Sequence, residues 1–257
     1  MNLYGIDVGN TRIKIFRLPA RPVARRASLF EAATPLEPEY AERDVSRVLA
    51  AIPGAAATRC HVLSVDARLS TPLVAALRAR GAAAVHWGFE RPLPVAHGYA
   101  APARPGDDRL LAALAATLLF PEESVVVVGA GTALTVDLAG PGPIHRGGAI
   151  APGLGTLSWS LGEKGAQLFD VGRGAETRYP GRSTREALAL GVAAAFGGAL
   201  RALVDQALAT SPDARIVVFG GDAARAVDAL DRPAVVRRDD LMAIGFAALE
   251  DEHAGRS

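Results

Sequence analysis

Three short segments carry side chains and backbone suited to chemistry. The first is Asp7-Val8-Gly9-Asn10-Thr11-Arg12-Ile13-Lys14. Gly9 lets a ligand approach the backbone closely, and N–H groups in such a turn can cradle phosphate oxygens. Asn10 and Thr11 add neutral donors, and Lys14 supplies a positive point charge for phosphate. Asp7 can hold Mg²⁺, directly or through water. The same residues also suit a plain β-hairpin with Asn-Thr turn chemistry. The second segment, Gly129-Ala130-Gly131-Thr132-Ala133-Leu134-Thr135-Val136-Asp137, again sets small residues and hydroxyls between apolar runs. It is no dinucleotide fingerprint, because Leu134 takes the third glycine's place and a strand follows, and the chain has no Walker A run. Two such turns facing each other would grip a polyphosphate from both sides. The third segment, Gly220-Gly221 after the apolar run Ile216 to Phe219, would let an adenine lie against bare backbone.

These turns need strands to hold them. Residues 2–7 are mostly apolar, and 12–18 alternate Ile13, Ile15 and Leu18 with Arg12, Lys14 and Arg17, which predicts two strands joined by a turn. A strand is expected near 26–32, a helix over 41–51, a buried strand over 60–65 and a helix over 72–80. The Pro- and Gly-rich stretch 91–106, with His97 and Tyr99, reads as a functional loop. A helix from Asp107 or Asp108 runs to about 119, stopped by Pro121. On their own, Asp107 and Asp108 read as an N-cap and a first-turn acid of that helix. A second β-turn-β pattern follows, with strands at 124–128, 133–138 and 144–150. After it come a long Ala-rich helix at 184–209, a strand at 215–219, a helix at 222–230 and a C-terminal helix from 240. Alternating strands and helices indicate an α/β protein. The repeated β-turn-β pattern indicates two related halves, 1–118 and 119–257, meeting near 115–122.

Composition bounds the partners. The chain is 50% hydrophobic and 21% charged, with 28 basic and 27 acidic residues and a net charge of +1. Such a balance gives no general reason for nucleic acid or an anionic membrane as partner. Cys60 is the single cysteine, so no intrachain disulfide or cysteine-rich metal site forms. The N-terminal apolar stretch is broken by Asp7, Arg12 and Lys14, unlike a signal peptide. No run is expected to reach the ~18 apolar residues of a membrane span. The chain reads as cytoplasmic.

Taken in order, the segments resemble the acetate kinase/sugar kinase/Hsp70/actin superfamily, with its two phosphate loops and glycine-rich adenosine turn. Within it the chain is similar to type III pantothenate kinases, a family that includes Bvg accessory factor-like proteins. Gly106-Asp107-Asp108-Arg109, Gly147-Gly148-Ala149-Ile150-Ala151-Pro152-Gly153, Tyr99, and Ser183-Thr184 carry that resemblance. It implies two ribonuclease H-like halves, each a mixed sheet flanked by helices. It further implies that Asp7 to Lys14 bind ATP with Asp7 near Mg²⁺, and that Thr132 contacts the nucleotide phosphates. Asp108 becomes the general base for the primary hydroxyl of pantothenate, and Gly106, Asp107, Arg109 and Tyr99 shape the acceptor pocket. Thr184 touches substrate across a homodimer. The product is 4'-phosphopantothenate, the first step towards coenzyme A. An ordinary Asp, with a pKa of roughly 3.9, is ionised and ready as a base at neutral pH.

One departure stands out. The family commonly opens its second loop with an acid linked to a monovalent cation, K⁺ or NH₄⁺. Here the position is Gly129, which has no side-chain ligand, so weak or absent potassium dependence is expected. His61, His86, His97, His145 and His253 show no metal spacing, and Trp87 and Trp159 are expected to pack. Arg25-Arg26 and Arg237-Arg238 read as solvated faces rather than nucleic-acid sites. Two alternatives accompany the main reading: a kinase of another small metabolite, and a non-catalytic transcriptional accessory protein on the same scaffold.

Overall fold

The computed structural model describes residues 2–18, 39–41, 44–52, 57–172 and 178–254. The chain packs as two compact units. One comprises Met1–Glu122, Ala139–Arg146 and Asp239–Ser257, the other Glu123–Leu138 and Gly147–Arg238. Packing thus assigns two later segments to the first unit, whereas the expected halves 1–118 and 119–257 are each continuous in the chain.

The first unit is built on β1 (Asn2–Val8), which pairs antiparallel with β2 (Ile13–Leu18) and parallel with β4 (Thr58–Ser64). The short β3 (Glu39–Ala41) and β5 (Ala83–His86) complete the order β3-β2-β1-β4-β5. β1 is central and buried on both faces, which explains its nearly unbroken apolar run. Tyr4, Ile6 and Val8 pack towards α1 (Val45–Ala51) and α2 (Ala67–Ala79). Asp44 and Asp66 cap those helices by accepting the amides of Ser46 and Arg68 at 2.8 and 3.1 Å. On the other face Gly5 lies under Phe246 of α7 (Leu241–Ala254), and a Cβ there would sit 2.3 Å from the ring. α7 in turn presses Gly245 against Leu111 of α3 (Asp107–Leu119). A two-residue β6 (Ala96–His97) pairs with Ile144 and His145 at the start of β9 (Ile144–Pro152).

In the second unit, β7 (Val125–Ala130), β8 (Ala133–Ala139), β10 (Arg215–Phe219) and β11 (Val235–Arg237) join β9 in the order β11-β10-β7-β8-β9. β10 runs parallel to both neighbours. Its core gathers Val126, Val128, Leu134 and Val136 with α5 (Thr184–Thr210) and α6 (Ala223–Leu230), and Leu154 of α4 (Leu154–Lys164) joins it. Ser183 caps α5 by accepting the Glu186 amide at 3.2 Å, while Glu186 accepts the Arg182 amide at 2.6 Å.

Several expectations change. The strand expected near 26–32 and the pair Arg25-Arg26 lie outside the described residues. Residue 41 is strand, because Ala41 pairs with Ile13, and α1 starts only after its Asp44 cap. β5, β6, α4 and β11 were not expected. Three of them are strands of four residues or fewer, too short for a periodic signal. Trp159, expected to pack, is exposed. By length and a mean hydropathy of 1.8, α5 would suffice to cross a membrane, contrary to the expected absence of such a run. Its Leu188, Val192, Phe196, Leu200 and Val204 are instead buried in the unit's core, as in an Ala-rich core helix.

Candidate active site

In the first unit, β1 delivers Asp7 to the end of a central strand, directly opposite Lys14 on β2. Gly9 N–H donates to the Arg12 carbonyl at 3.1 Å and closes the turn, leaving Asn10, Thr11 and Arg12 exposed. Asp7 is 3% exposed, and its Oδ2 accepts from Lys14 Nζ at 2.9 Å. Its Oδ1 is buried and meets no hydrogen-bond donor. A buried carboxylate oxygen in that state is costly unless something else satisfies it. A divalent cation would, so these residues fit Mg²⁺.

Asp108 lies in the first turn of α3, and the sequence alone does not place it near β1. The fold does. Burial raises its pKa first, the Asp7 charge raises it further, and the Arg109 amide, Lys14 and Arg109 pull against both. Its carboxyl therefore departs from the ordinary value expected from sequence, first through burial and then through the charge of Asp7. Gly106 leaves the room required, since a Cβ there would stand 2.7 Å from Asp108 Oδ1. Arg109 is 6% exposed; its Nη1 donates to Tyr99 Oη at 2.9 Å, and its guanidinium lies 5.8 Å from the Tyr99 ring centroid. Tyr99 is backed edge-on by the buried ring of His145 at 5.8 Å, a support that no local pattern along the chain signals. Asp107 turns elsewhere, towards Arg104 and Gly88.

In the second unit the turn after β7 is closed by Gly131 N–H donating to the Ala133 carbonyl at 3.0 Å. The Thr132 carbonyl accepts the Gly153 amide at 3.0 Å, and a Cβ on Gly153 would lie 2.0 Å from the Gly131 carbonyl oxygen. The Gly-Gly-x-Ile-x-Pro-Gly run thus buttresses the turn. Gly220, at φ +106°, packs onto the Ala130 carbonyl, which also accepts the Asp222 amide at 3.0 Å. The turn at Gly131-Thr132 and the glycine turn at Gly220-Gly221 are therefore neighbours within this unit. Thr184 is the exposed first residue of α5.

Gly129 is not an open position. A Cβ there would stand 2.6 Å from Thr135 Oγ1 and 3.2–3.3 Å from the Phe219 ring. An acid would have to displace both, so no acidic side chain is accommodated at that position.

Both units belong to a known architecture. The chain is similar to a glucokinase of the ROK family from Streptomyces griseus (13% identity, 97% of this chain and 99% of that one, TM-score 0.52) and to an archaeal actin homolog (9% identity, 100% of each, TM-score 0.50). It is also similar to a conserved Baf family protein from Campylobacter jejuni, described as a transcriptional activator (17% identity, 98% and 99%, TM-score 0.63). The fold is that of the sugar kinase and actin-like ATPase class. Among curated proteins, the type III pantothenate kinase of Alkalilimnicola ehrlichii is 40% identical over 62% of this chain and 63% of its own length. That of Herminiimonas arsenicoxydans is 30% identical over 94% of each. The type III pantothenate kinase family model matches residues 3–206, and the chain belongs to that family.

Proposed function

We propose that the protein transfers the γ-phosphoryl group of ATP to the primary hydroxyl of pantothenate, yielding 4'-phosphopantothenate on the route to coenzyme A. The observation that carries the reading is the set Asp7, Lys14 and Asp108, assembled from two strands and a helix at one end of the first unit's sheet. Phosphoryl transfer relies on positioning and charge neutralisation more than on covalent catalysis. Val8 to Ile13 and Lys14 cradle the phosphates, with Thr132 contributing from its own turn. Mg²⁺ held by Asp7 would neutralise charge on the phosphates. Asp108 accepts the hydroxyl proton as the oxygen attacks phosphorus, and its raised pKa makes it a stronger base than an ordinary carboxylate. Arg109, Tyr99 and Gly106 shape the acceptor pocket. The protein acts in the cytoplasm without nucleic acid or membrane as partner. It acts as a homodimer, with Thr184 facing the partner's substrate. The exposed Ile150, Trp159 and Leu168 support self-association.

The test is an ADP-release assay with pantothenate and related hydroxy acids, run beside Asp108→Asn. Turnover with pantothenate should fall by about 10²–10⁴-fold in the variant. Release of ADP only with a different acceptor would replace the substrate, and full turnover by the variant would remove Asp108 from its role. A non-catalytic accessory role draws on the Campylobacter likeness, which shows fold alone. Such a scaffold has no physical need for a buried carboxylate beside a lysine and a second acid.

A further inference from the structure

Asp107 and Asp108 are adjacent at the start of α3, yet they point into different surroundings. Helical geometry turns successive side chains by about 100°, and two glycines make the separate hollows. Gly106 leaves room for the Asp108 carboxylate. Gly88, at φ +82°, leaves room for that of Asp107: a Cβ at Gly88 would stand 2.0–2.6 Å from it. Arg104 closes the second hollow, pairing with Asp107 and donating to the Gly88 carbonyl at 3.0 Å. The Asp107 side chain is only 13% exposed there.

This clasp is anchored inside the unit. Gly88 follows Trp87, which is 1% exposed and donates its indole N–H to His61 Nδ1 at 2.8 Å. An indole can only donate, so Nδ1 carries no proton and the Nε2–H of His61 donates to Glu250 at 2.8 Å. Burial opposes the Glu250 charge, yet His61 and Arg59 hold its carboxyl below the ordinary value. Glu250 sits on α7, the helix pressed against Leu111 of α3. The two ends of this relay, Gly88 and α7, both grip the helix that carries Asp108.

We propose that Asp107 is a positioning residue rather than a substrate ligand: with Arg104 and Gly88 it fixes the first turn of α3 and thereby the carboxylate of Asp108. The idea departs from the family resemblance, which puts Asp107 in the acceptor pocket, and it rests on the kinase reading for its kinetic readout.

The variants are Asp107→Ala, Asp107→Asn, Arg104→Met and the double variant Asp107→Ala/Arg104→Met. Arg104 is 43% exposed, so its replacement leaves the core intact. The expected result is a loss of kcat of about tenfold or more, since small misplacements of a reacting group cost that much. KM for pantothenate and for ATP should stay within about twofold. Asp107→Asn, which can still accept from Arg104, should recover part of the loss. The double variant should be no worse than Asp107→Ala, because both changes break one clasp. A raised KM for pantothenate with kcat unchanged would make Asp107 a substrate ligand and overturn the proposal. So would unchanged kinetics, or losses that multiply in the double variant. A readout independent of turnover is amide hydrogen exchange at the start of α3 in the unliganded protein, where the Leu110 amide donates to the Gly106 carbonyl at 3.1 Å. In Arg104→Met exchange there should quicken as the first turn loosens. Unchanged exchange overturns the proposal even if pantothenate proves not to be the substrate, whereas an inactive wild type with the faster exchange overturns only the kinase reading.

Discussion

The turn after β1 and the turn after β7 are built alike and equipped differently. Each follows a buried strand, each is closed by a glycine amide donating to a nearby carbonyl, and each returns into a second strand. Asp7-Val8-Gly9 and Gly129-Ala130-Gly131 occupy matching places before the two turns. In the first, the strand end carries a buried carboxylate opposite a lysine, with a second acid brought in from α3. In the second, the same place holds a glycine, with the Thr135 hydroxyl and Phe219 ring in the space a side chain would use. One turn concentrates charge at a cost in desolvation; the other is packed backbone offering amides and a hydroxyl. One backbone motif therefore carries a charged strand end in one unit and an uncharged, filled one in the other, depending on what flanks the glycine.

The largest expected effect breaks the charged side of this comparison. Asp7→Asn should lower turnover by about 10²-fold or more, because it removes the preorganised charge at the transferring phosphate. Thr132→Ala, on the neutral side, should cost about tenfold, the worth of one hydrogen bond of roughly 1.4 kcal/mol. Steady-state kinetics on both variants would show it, and equal losses would erase the distinction.

An intermediate effect comes from forcing the second turn to resemble the first. Gly129→Asp should destabilise the protein by about 1–3 kcal/mol through overpacking against Phe219, measured by denaturant unfolding. It should not create potassium activation unless Phe219→Ala opens the space as well. Activity of the native chain should stay within about twofold between potassium-free and potassium-rich buffer, a change worth roughly 0.4 kcal/mol. Strong activation by K⁺ would show that another group holds the ion.

The smallest effect sharpens what the charge costs. The Asp108 pKa is raised in the folded protein, so its ionised form destabilises the fold at neutral pH and this penalty disappears as pH falls below the unfolded value of about 3.9. Asp108→Asn should therefore raise Tm at pH 7, by about 2–4 °C for each kcal/mol relieved. The gain should fade in acid. A lower Tm at pH 7 would mean that Asp108 is a structural partner and not a strained catalytic one.

The hairpin Asn2 to Leu18 was legible from its period, and the strand Arg215–Phe219 and the helix Thr184–Thr210 from apolar and Ala-rich runs, and so were the glycine turns at Gly9, Gly131 and Gly220-Gly221. The family membership was legible too, because Gly106-Asp107-Asp108-Arg109 and Gly147 to Gly153 are local strings. What the chain alone determined, then, was which residues could do chemistry and which turn each would sit in. Tertiary structure decided which acids meet. Asp7 and Asp108 are far apart in sequence and become neighbours only when α3 packs on α7 and β4, whereas Asp107, next to Asp108 in sequence, is turned into the hollow left by Gly88. Desolvation and charge coupling depend on distances through space. No pattern along the chain encodes them, so the raised Asp108 pKa, the filled space at Gly129 and the clasp on Asp107 emerge only once the chain is folded.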